Sequence, residues 1–253
     1  MPSRAPKGPT RALAFLPIAV SALSAVLAAQ VIGRDPRLAF PLMAFGALLF
    51  LPALLSRLRM KRLLMSGDVQ RVIGTWEGSF ERVAHKETMA PLLAATAYAS
   101  YGWVEAARDA LDHAVKGDAW EAALEQRLFI ETLLDAFEGD RGAAIRKAEV
   151  LQVLPMPVAG PLARRRITKL RRGLAALARA FAHESAPGDA SLLRRAASAS
   201  PLVHWAMRYA AAIVAVDGGR SKEVPSLIAR APSWPEASAF HGYHDELLSH
   251  ARG

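Results

Sequence analysis

Cysteine is absent from all 253 residues. The chain therefore has no disulfide framework, no thiolate metal site and no thiol nucleophile, which suits a reducing compartment but also fits many periplasmic proteins. Also lacking are a glycine-rich phosphate loop, a serine in a nucleophile elbow and a carboxylate pair in an apolar setting. We expect a protein that is not an enzyme and binds no cofactor.

β-branched residues are scarce beyond the first fifty positions, whereas alanine is abundant throughout. This bias favours helix over strand, so the sequence predicts an all-α fold. The apolar share of 52% and charged share of 22% lie in the globular range. The net charge of +9 indicates an anionic neighbour, and for a membrane protein that neighbour is often the lipid headgroup layer.

Charge is absent from two apolar runs near the N-terminus, residues 12–32 and 38–55. A helix over the first run would be about 30 Å long and the second about 27 Å, which suits a bilayer core. The link, residues 33–37, carries glycine and proline as helix breakers. The sequence predicts a two-helix transmembrane hairpin.

Positive residues surround this hairpin and predict its orientation, because Lys and Arg are held on the cytoplasmic side. The N-terminal stretch 1–11 is basic, while the link holds two arginines against Asp35. Four cations follow the second run: Arg57, Arg59, Lys61 and Arg62. We expect an inner-membrane protein with two spans, both termini cytoplasmic, and a cytoplasmic helical domain over residues 56–253.

Two alternatives to the hairpin remain open. The first run could be a cleaved signal peptide, since residues 26–28 resemble a small-residue cleavage site, although its apolar core exceeds the usual length. Both runs could instead be buried helices of a soluble protein. This interpretation is weaker, because the two apolar stretches are uninterrupted and are separated by a charged turn.

Glycine-centred turns interrupt the helical periodicity of the remaining chain. Their spacings are 35, 37, 49 and 30 residues, and a period near 34 residues indicates stacked helical hairpins. The turns are Gly67-Asp68, Gly102-Trp103, Gly139-Asp140, Gly188-Asp189 and Gly218-Gly219. The loop-like stretch 155–161 (PMPVAGP) predicts an irregular join within this one domain.

One unit, residues 91–115, resembles a tetratricopeptide repeat. The positions that carry the resemblance surround Gly102 and are Ala95, Tyr98, Ala107, Leu111 and Ala114. Ala119 stands where the family has its closing proline, and Asp135 replaces the aromatic residue of the weaker unit 122–155. The resemblance implies an α-solenoid, and a generic array of helical hairpins is the alternative.

Stacked hairpins form a concave face from the first helix of each pair. By register, we expect that face to be a partner groove suited to an apolar peptide or helix. Its predicted lining is Thr96, Ser100, Gln126, Phe129 and Leu133.

A strongly basic run contains six cations in nine residues: Arg164, Arg165, Arg166, Lys169, Arg171 and Arg172. Together with the four cations after the second apolar run, it predicts contact with an anionic surface, preferably membrane lipid. Nucleic acid is an unlikely partner because no aromatic side chains interleave with the cations. A solvated helix face opposite Ile167 and Leu170 is the alternative.

Metal-ligand residue types cluster only near the C-terminus, at residues 241–246. The spacing of His241 and His244 around a glycine fits a zinc site poorly, so we expect a polar helix and no metal. We also expect Trp234 to be half-exposed, and Asp135 and Glu138 to be solvated beside a turn.

Together these features predict a membrane-anchored helical-repeat scaffold or adaptor that binds a protein partner at the cytoplasmic face. The alternative is a non-catalytic structural subunit of a larger membrane complex. In that case small residues of the two runs would mediate close helix contact. These are Ser21, Ser24, Ala25, Ala28 and Gly46.

Overall fold

A computed structural model describes residues 39–252. The regular secondary structure of these residues consists of α-helices and one short 3₁₀ helix. The all-α prediction is confirmed for this part of the chain. The α-helices are α1 Ala39–Met65, α2 Val69–Phe80, α3 Lys86–Ser100, α4 Val104–Asp112, α5 Asp118–Ala122, α6 Leu124–Glu138, α7 Arg141–Val153, α8 Pro161–Phe181, α9 Asp189–Ala199, α10 His204–Asp217, α11 Val224–Leu227 and α12 Ala239–Arg252, with a 3₁₀ turn at Ser221–Glu223.

The chain divides into two compact units, one ending at Arg59 and the other beginning at Met60. Among the residues that the structure describes, no helix combines the length and the apolar character needed to cross a membrane. The predicted span 12–32 lies outside the described residues, and the run 38–55 falls largely on the N-terminal part of α1. The membrane hairpin therefore stays a prediction.

The predicted glycine turns coincide with helix ends. Gly102 lies between α3 and α4 with φ +74°, a left-handed conformation that favours glycine. A Cβ there would also lie 3.1 Å from Ser238 Oγ and 3.3 Å from the Phe240 nitrogen. At the next turn the Asp140 carboxylate caps α7 by accepting from the Ala143 N–H at 3.0 Å.

Helix α3 contains a proline, Pro91, whose missing N–H leaves the carbonyl four residues earlier without its helical donor. The backbone N–H of Val115 donates to this carbonyl, Glu87 O, at 3.1 Å. In return Thr88 Oγ1 donates to Val115 O at 2.7 Å. The segment after α4 thus repairs the proline break and fixes the end of α4 against α3.

Neighbouring helices pack through small side chains. Helix α3 packs on α4, α6 on α7, and α8 on both α9 and α10. Helices α8 and α9 approach closely at Gly173 of α8, where an added Cβ would lie 2.2 Å from Ala196 Cβ of α9. The alanines at the interfaces, such as Ala107 and Ala144, are fully buried.

Aromatic residues of α10, α12 and the segment between them pack together in the core. Tyr209 of α10 stacks on Phe240 of α12 at 4.9 Å between ring centroids, and Trp234 meets Phe240 edge-on at 5.0 Å. Trp234 is only 6% exposed and its Nε1–H donates to Tyr209 Oη at 2.7 Å. The prediction of a half-exposed Trp234 is wrong, because the indole has a buried acceptor.

The C-terminal segment returns to the first hairpin. Ser238 Oγ donates to Tyr101 O at 2.7 Å, and the Ala239 N–H donates to Gly102 O at 2.8 Å. In a linear array each unit contacts only its neighbours, whereas here a segment near the C-terminus contacts the turn between α3 and α4. The tetratricopeptide-like stacking stays a prediction.

Asp135 of α6 joins three helices. It is 4% exposed, lies 3.3 Å from Arg108 Nη2 of α4, and receives an ionic contact of 2.7 Å from Lys147 Nζ of α7. Burial lowers the pKa of Lys147, but bonding to Asp135 and Glu131 outweighs it and the net pKa is raised. The expectation that Asp135 is solvated is wrong, because two cations offset the cost of its burial.

Candidate functional site

An open cavity of about 720 Å³ lies between α3, α5, α6, the end of α7, and α8. Its lining is mainly apolar, and its volume falls in the range of ligand and peptide-anchor pockets. The lining residues are His85, Met89, Asp118, Ala119, Ala122, Ala123, Glu125, Gln126, Phe129, Leu151, Ile167, Leu170 and Arg171.

Helical spacing brings the residues that line the cavity onto common helix faces. On α6, Glu125 and Phe129 are four residues apart and share a face, as do Ile167, Leu170 and Arg171 on α8. Leu151 of α7 is 1% exposed and closes the floor. Phe129 and Ile167 are half-buried, so each still presents apolar surface to the cavity.

The cavity rim carries a backbone in an unusual conformation. His85, directly before α3, has φ 55° and is exposed, although it is not glycine. Its carbonyl accepts from the N–H groups of Thr88 and Met89 at 3.0 and 2.9 Å. Such conformations persist where surrounding structure holds them, often near functional sites.

Two residues of the predicted groove line the cavity, Gln126 and Phe129. Thr96 supports the first of these, because Gln126 Nε2 donates to Thr96 Oγ1 at 3.0 Å. Ser100 and Leu133 are fully buried, and the Ser100 hydroxyl has no hydrogen-bond partner within the described residues. Neither is exposed to a partner, since both face the helix interfaces.

Arg171 is 5% exposed and is fixed on three sides. Nε donates to Glu125 Oε1 at 2.9 Å, Nη1 to Leu154 O at 2.6 Å, and Nη2 to Pro155 O at 3.1 Å. The guanidinium therefore satisfies the carbonyls of Leu154, the C-cap of α7, and of Pro155, which follows it. Its assignment as an anionic-surface contact is corrected: this cation is engaged inside the protein.

The other predicted surface cations are exposed. Arg166 also donates through Nε to Ala199 O at 2.6 Å, at the end of α9. Exposure leaves their charges available to an anionic partner. They are Arg164, Arg165, Arg166, Lys169 and Arg172 on α8, and Arg57, Arg59, Lys61 and Arg62 on α1.

The C-terminal histidines are used in packing. Nδ1–H of His241 donates to Trp234 O at 3.0 Å. The Tyr209 hydroxyl accepts from Trp234 and leaves its own proton for Nδ1 of His244, 2.9 Å away. Within residues 39–252 no group of three or more acidic or histidine side chains is arranged to hold a metal ion.

A second cavity of about 210 Å³ contains the pair His183 and Asp217, with Nδ1 2.9 Å from Oδ1. A histidine and a carboxylate need a nucleophile or a bound substrate beside them to perform catalysis. The residues that line this cavity include no serine, threonine or cysteine, and the hydroxyl of Tyr243 donates to Phe137 O at 2.9 Å. The larger cavity is the stronger candidate site.

Sequence reasoning did not identify Met89, Leu151 or His85 as lining residues. Ile167 and Leu170 were identified only as the apolar face of a basic helix. No local pattern brings these residues together, because they come from separate helices. The chain matches no protein-family model, no curated protein and no solved structure.

Proposed function

We propose that this chain is a membrane-anchored helical scaffold or adaptor whose cavity binds an apolar side chain from a helix or peptide of a protein partner at the cytoplasmic face. The open apolar cavity of about 720 Å³ carries the proposal. The array of helical hairpins is part of this proposal, as is the tetratricopeptide-like character of the α3–α4 pair.

The chemistry of the cavity favours a peptide over a polar metabolite. Met89, Phe129 and Leu170 supply apolar walls, and Arg171 is already neutralised by Glu125. Helix-in-groove recognition uses apolar anchors spaced along one helix face. The exposed carboxylate of Asp118 at the rim favours a partner with a cation beside its apolar anchor.

Exposed leucines on α1 support the membrane anchor. Five of them are at least 42% exposed: Leu48, Leu51, Leu54, Leu55 and Leu58. Apolar residues at spacings of three and four form a stripe along a helix, and a lipid or helix neighbour would cover such a stripe. The exposed cations Arg59 and Arg62 lie beyond it, which agrees with a cytoplasmic end.

The same stripe favours the second candidate, a structural subunit of a larger membrane complex, if a protein helix rather than lipid covers it. The two candidates differ in what the α1 segment does. An adaptor would keep its partner after residues 12–55 are exchanged for an unrelated two-span anchor, whereas a structural subunit would lose assembly.

Site-specific photo-crosslinking in the cells that contain the protein tests the cavity. Phe129→p-benzoylphenylalanine places the reactive group in the cavity, and Ser198→p-benzoylphenylalanine, on the exposed face of α9, is the matched control. We expect one defined protein adduct at position 129 and none at 198. The partner segment so identified, made as a peptide, should bind the detergent-solubilised full chain.

Ile167→Glu supplies the decisive comparison, because a carboxylate in the apolar wall should weaken peptide binding at least tenfold, the equivalent of losing one buried aliphatic contact. Ser198→Glu, at an exposed position of α9 outside the cavity, should leave binding unchanged. Absence of an adduct at position 129, or equal adducts at 129 and 198, would contradict the proposal.

A further inference from the structure

Large aliphatic side chains are exposed in one short segment, residues 150–162, which we term the aliphatic loop. Within residues 60–252 seven large apolar side chains are exposed, and five of them lie in this segment. They are Val150, Val153, Met156, Val158 and Leu162. Val153 and Leu162 are 80% and 81% exposed and Val158 is fully exposed, whereas such residues are usually buried.

Hydrogen bonds from Arg171 and three prolines restrict the backbone of the aliphatic loop. Arg171 donates to the carbonyls of Leu154 and Pro155, so this part of the loop is fixed to α8. Pro155, Pro157 and Pro161 stiffen the segment and lack backbone N–H groups. Fewer free donors lower the cost of moving this backbone out of water.

Positive charge follows the loop directly. Between residues 150 and 172 there are six cations, no acidic residue and no aromatic residue. Arg164, Arg165, Lys169 and Arg172 are exposed on α8. Exposed aliphatic side chains followed by exposed cations match the boundary of an anionic bilayer, where acyl chains lie below phosphate groups. Nucleic acid binding would call for aromatic stacking side chains.

We propose that the aliphatic loop inserts into the headgroup and acyl boundary of an anionic bilayer, while Arg164, Arg165, Lys169 and Arg172 bind the lipid phosphates. The inference goes beyond the adaptor role: it assigns a lipid contact to the helical unit itself. It depends neither on the predicted spans nor on a peptide in the cavity.

The absence of cysteine makes a direct test available, because one introduced cysteine is the only labelling site. Val158→Cys in the full chain carries an environment-sensitive fluorophore, and the protein is placed in liposomes of phosphatidylcholine alone or with phosphatidylglycerol. We expect the emission to shift to the blue only in the anionic liposomes, and lipids brominated near the headgroup to quench it.

Two matched variants complete the experiment. The label at Ser198→Cys on α9 should give the same emission in both lipid mixtures. The pair Arg165→Glu and Lys169→Glu, at exposed positions, should abolish the shift at position 158 while circular dichroism shows the same helix content and melting temperature.

An unchanged emission at 158, an equal shift in neutral lipid, or a shift that needs the purified partner peptide and no anionic lipid would overturn the inference. Separate experiments test the other two proposals: carbonate extraction tests the membrane anchor, and the cross-link at position 129 tests the partner cavity.

Discussion

Arg171 and Arg172 are adjacent in the sequence, yet their side chains lie in different environments. Three hydrogen bonds fix the guanidinium of Arg171 between α6, α8 and the end of α7. Arg172 is exposed on α8. A helix turns by about 100° per residue, so neighbours in one charge run can face opposite surroundings.

Replacing Arg171 should therefore destabilise the fold, and replacing Arg172 should not. Arg171→Met leaves two carbonyls without donors and is therefore expected to lower the free energy of unfolding by about 2–3 kcal/mol. The loss is no larger because Glu125, which also loses its partner, can rehydrate. Arg172→Met is expected to stay within about 0.5 kcal/mol of the original. Denaturant unfolding followed by circular dichroism in mild detergent measures both, and equal losses would contradict this account.

Packing between elements depends on how closely two helix backbones can approach. Gly173 lets α8 lie against Ala196 of α9, whereas Gly74 in α2 has no atom within 4 Å of the position of a Cβ. The same residue type thus has a packing role in one helix and only a conformational cost in the other.

An alanine scan of these two glycines separates the roles. Gly173→Ala should lower the free energy of unfolding by about 1–3 kcal/mol, because the new methyl group overlaps Ala196 Cβ. Gly74→Ala should raise it by about 0.5–1 kcal/mol through helix propensity. Thermal melting in the same detergent gives both values, and a neutral Gly173→Ala would show that α8 and α9 can separate freely.

Local signals predicted the elements well, and long-range contacts explain what they did not predict. The turns at Gly102 and Gly139 and the loop 155–161 depend on nearby glycine and proline, so their positions could be predicted from sequence. The buried states of Asp135, Arg171 and Trp234 depend on partners on other helices. Most of the cavity lining was missed for the same reason, since Met89, Leu151 and Ile167 come from three helices.

At the scale of the whole molecule, the proposed anchor makes a prediction about fractionation and orientation. Alkaline carbonate should leave the full chain in the membrane pellet, and a green fluorescent protein fused to the C-terminus should fluoresce inside the cell. Replacing Arg57, Arg59, Lys61 and Arg62 by glutamine, with lysines added to the link 33–37, should move the C-terminus outside. Release by salt alone would contradict the anchor.

The ion pairs of Asp135 with Arg108 and Lys147 affect which helices unfold first on heating. Hydration of charged groups becomes less favourable as temperature rises, so keeping the Asp135 carboxylate away from water beside Arg108 and Lys147 costs less in a warm solution. Alanine contacts such as those of Ala107 and Ala144 gain no such advantage. We expect the contact between α4, α6 and α7 to survive to a higher temperature than α2, whose glycines have open space around them. Protein in which α2 has already unfolded should still retain the contact between these three helices.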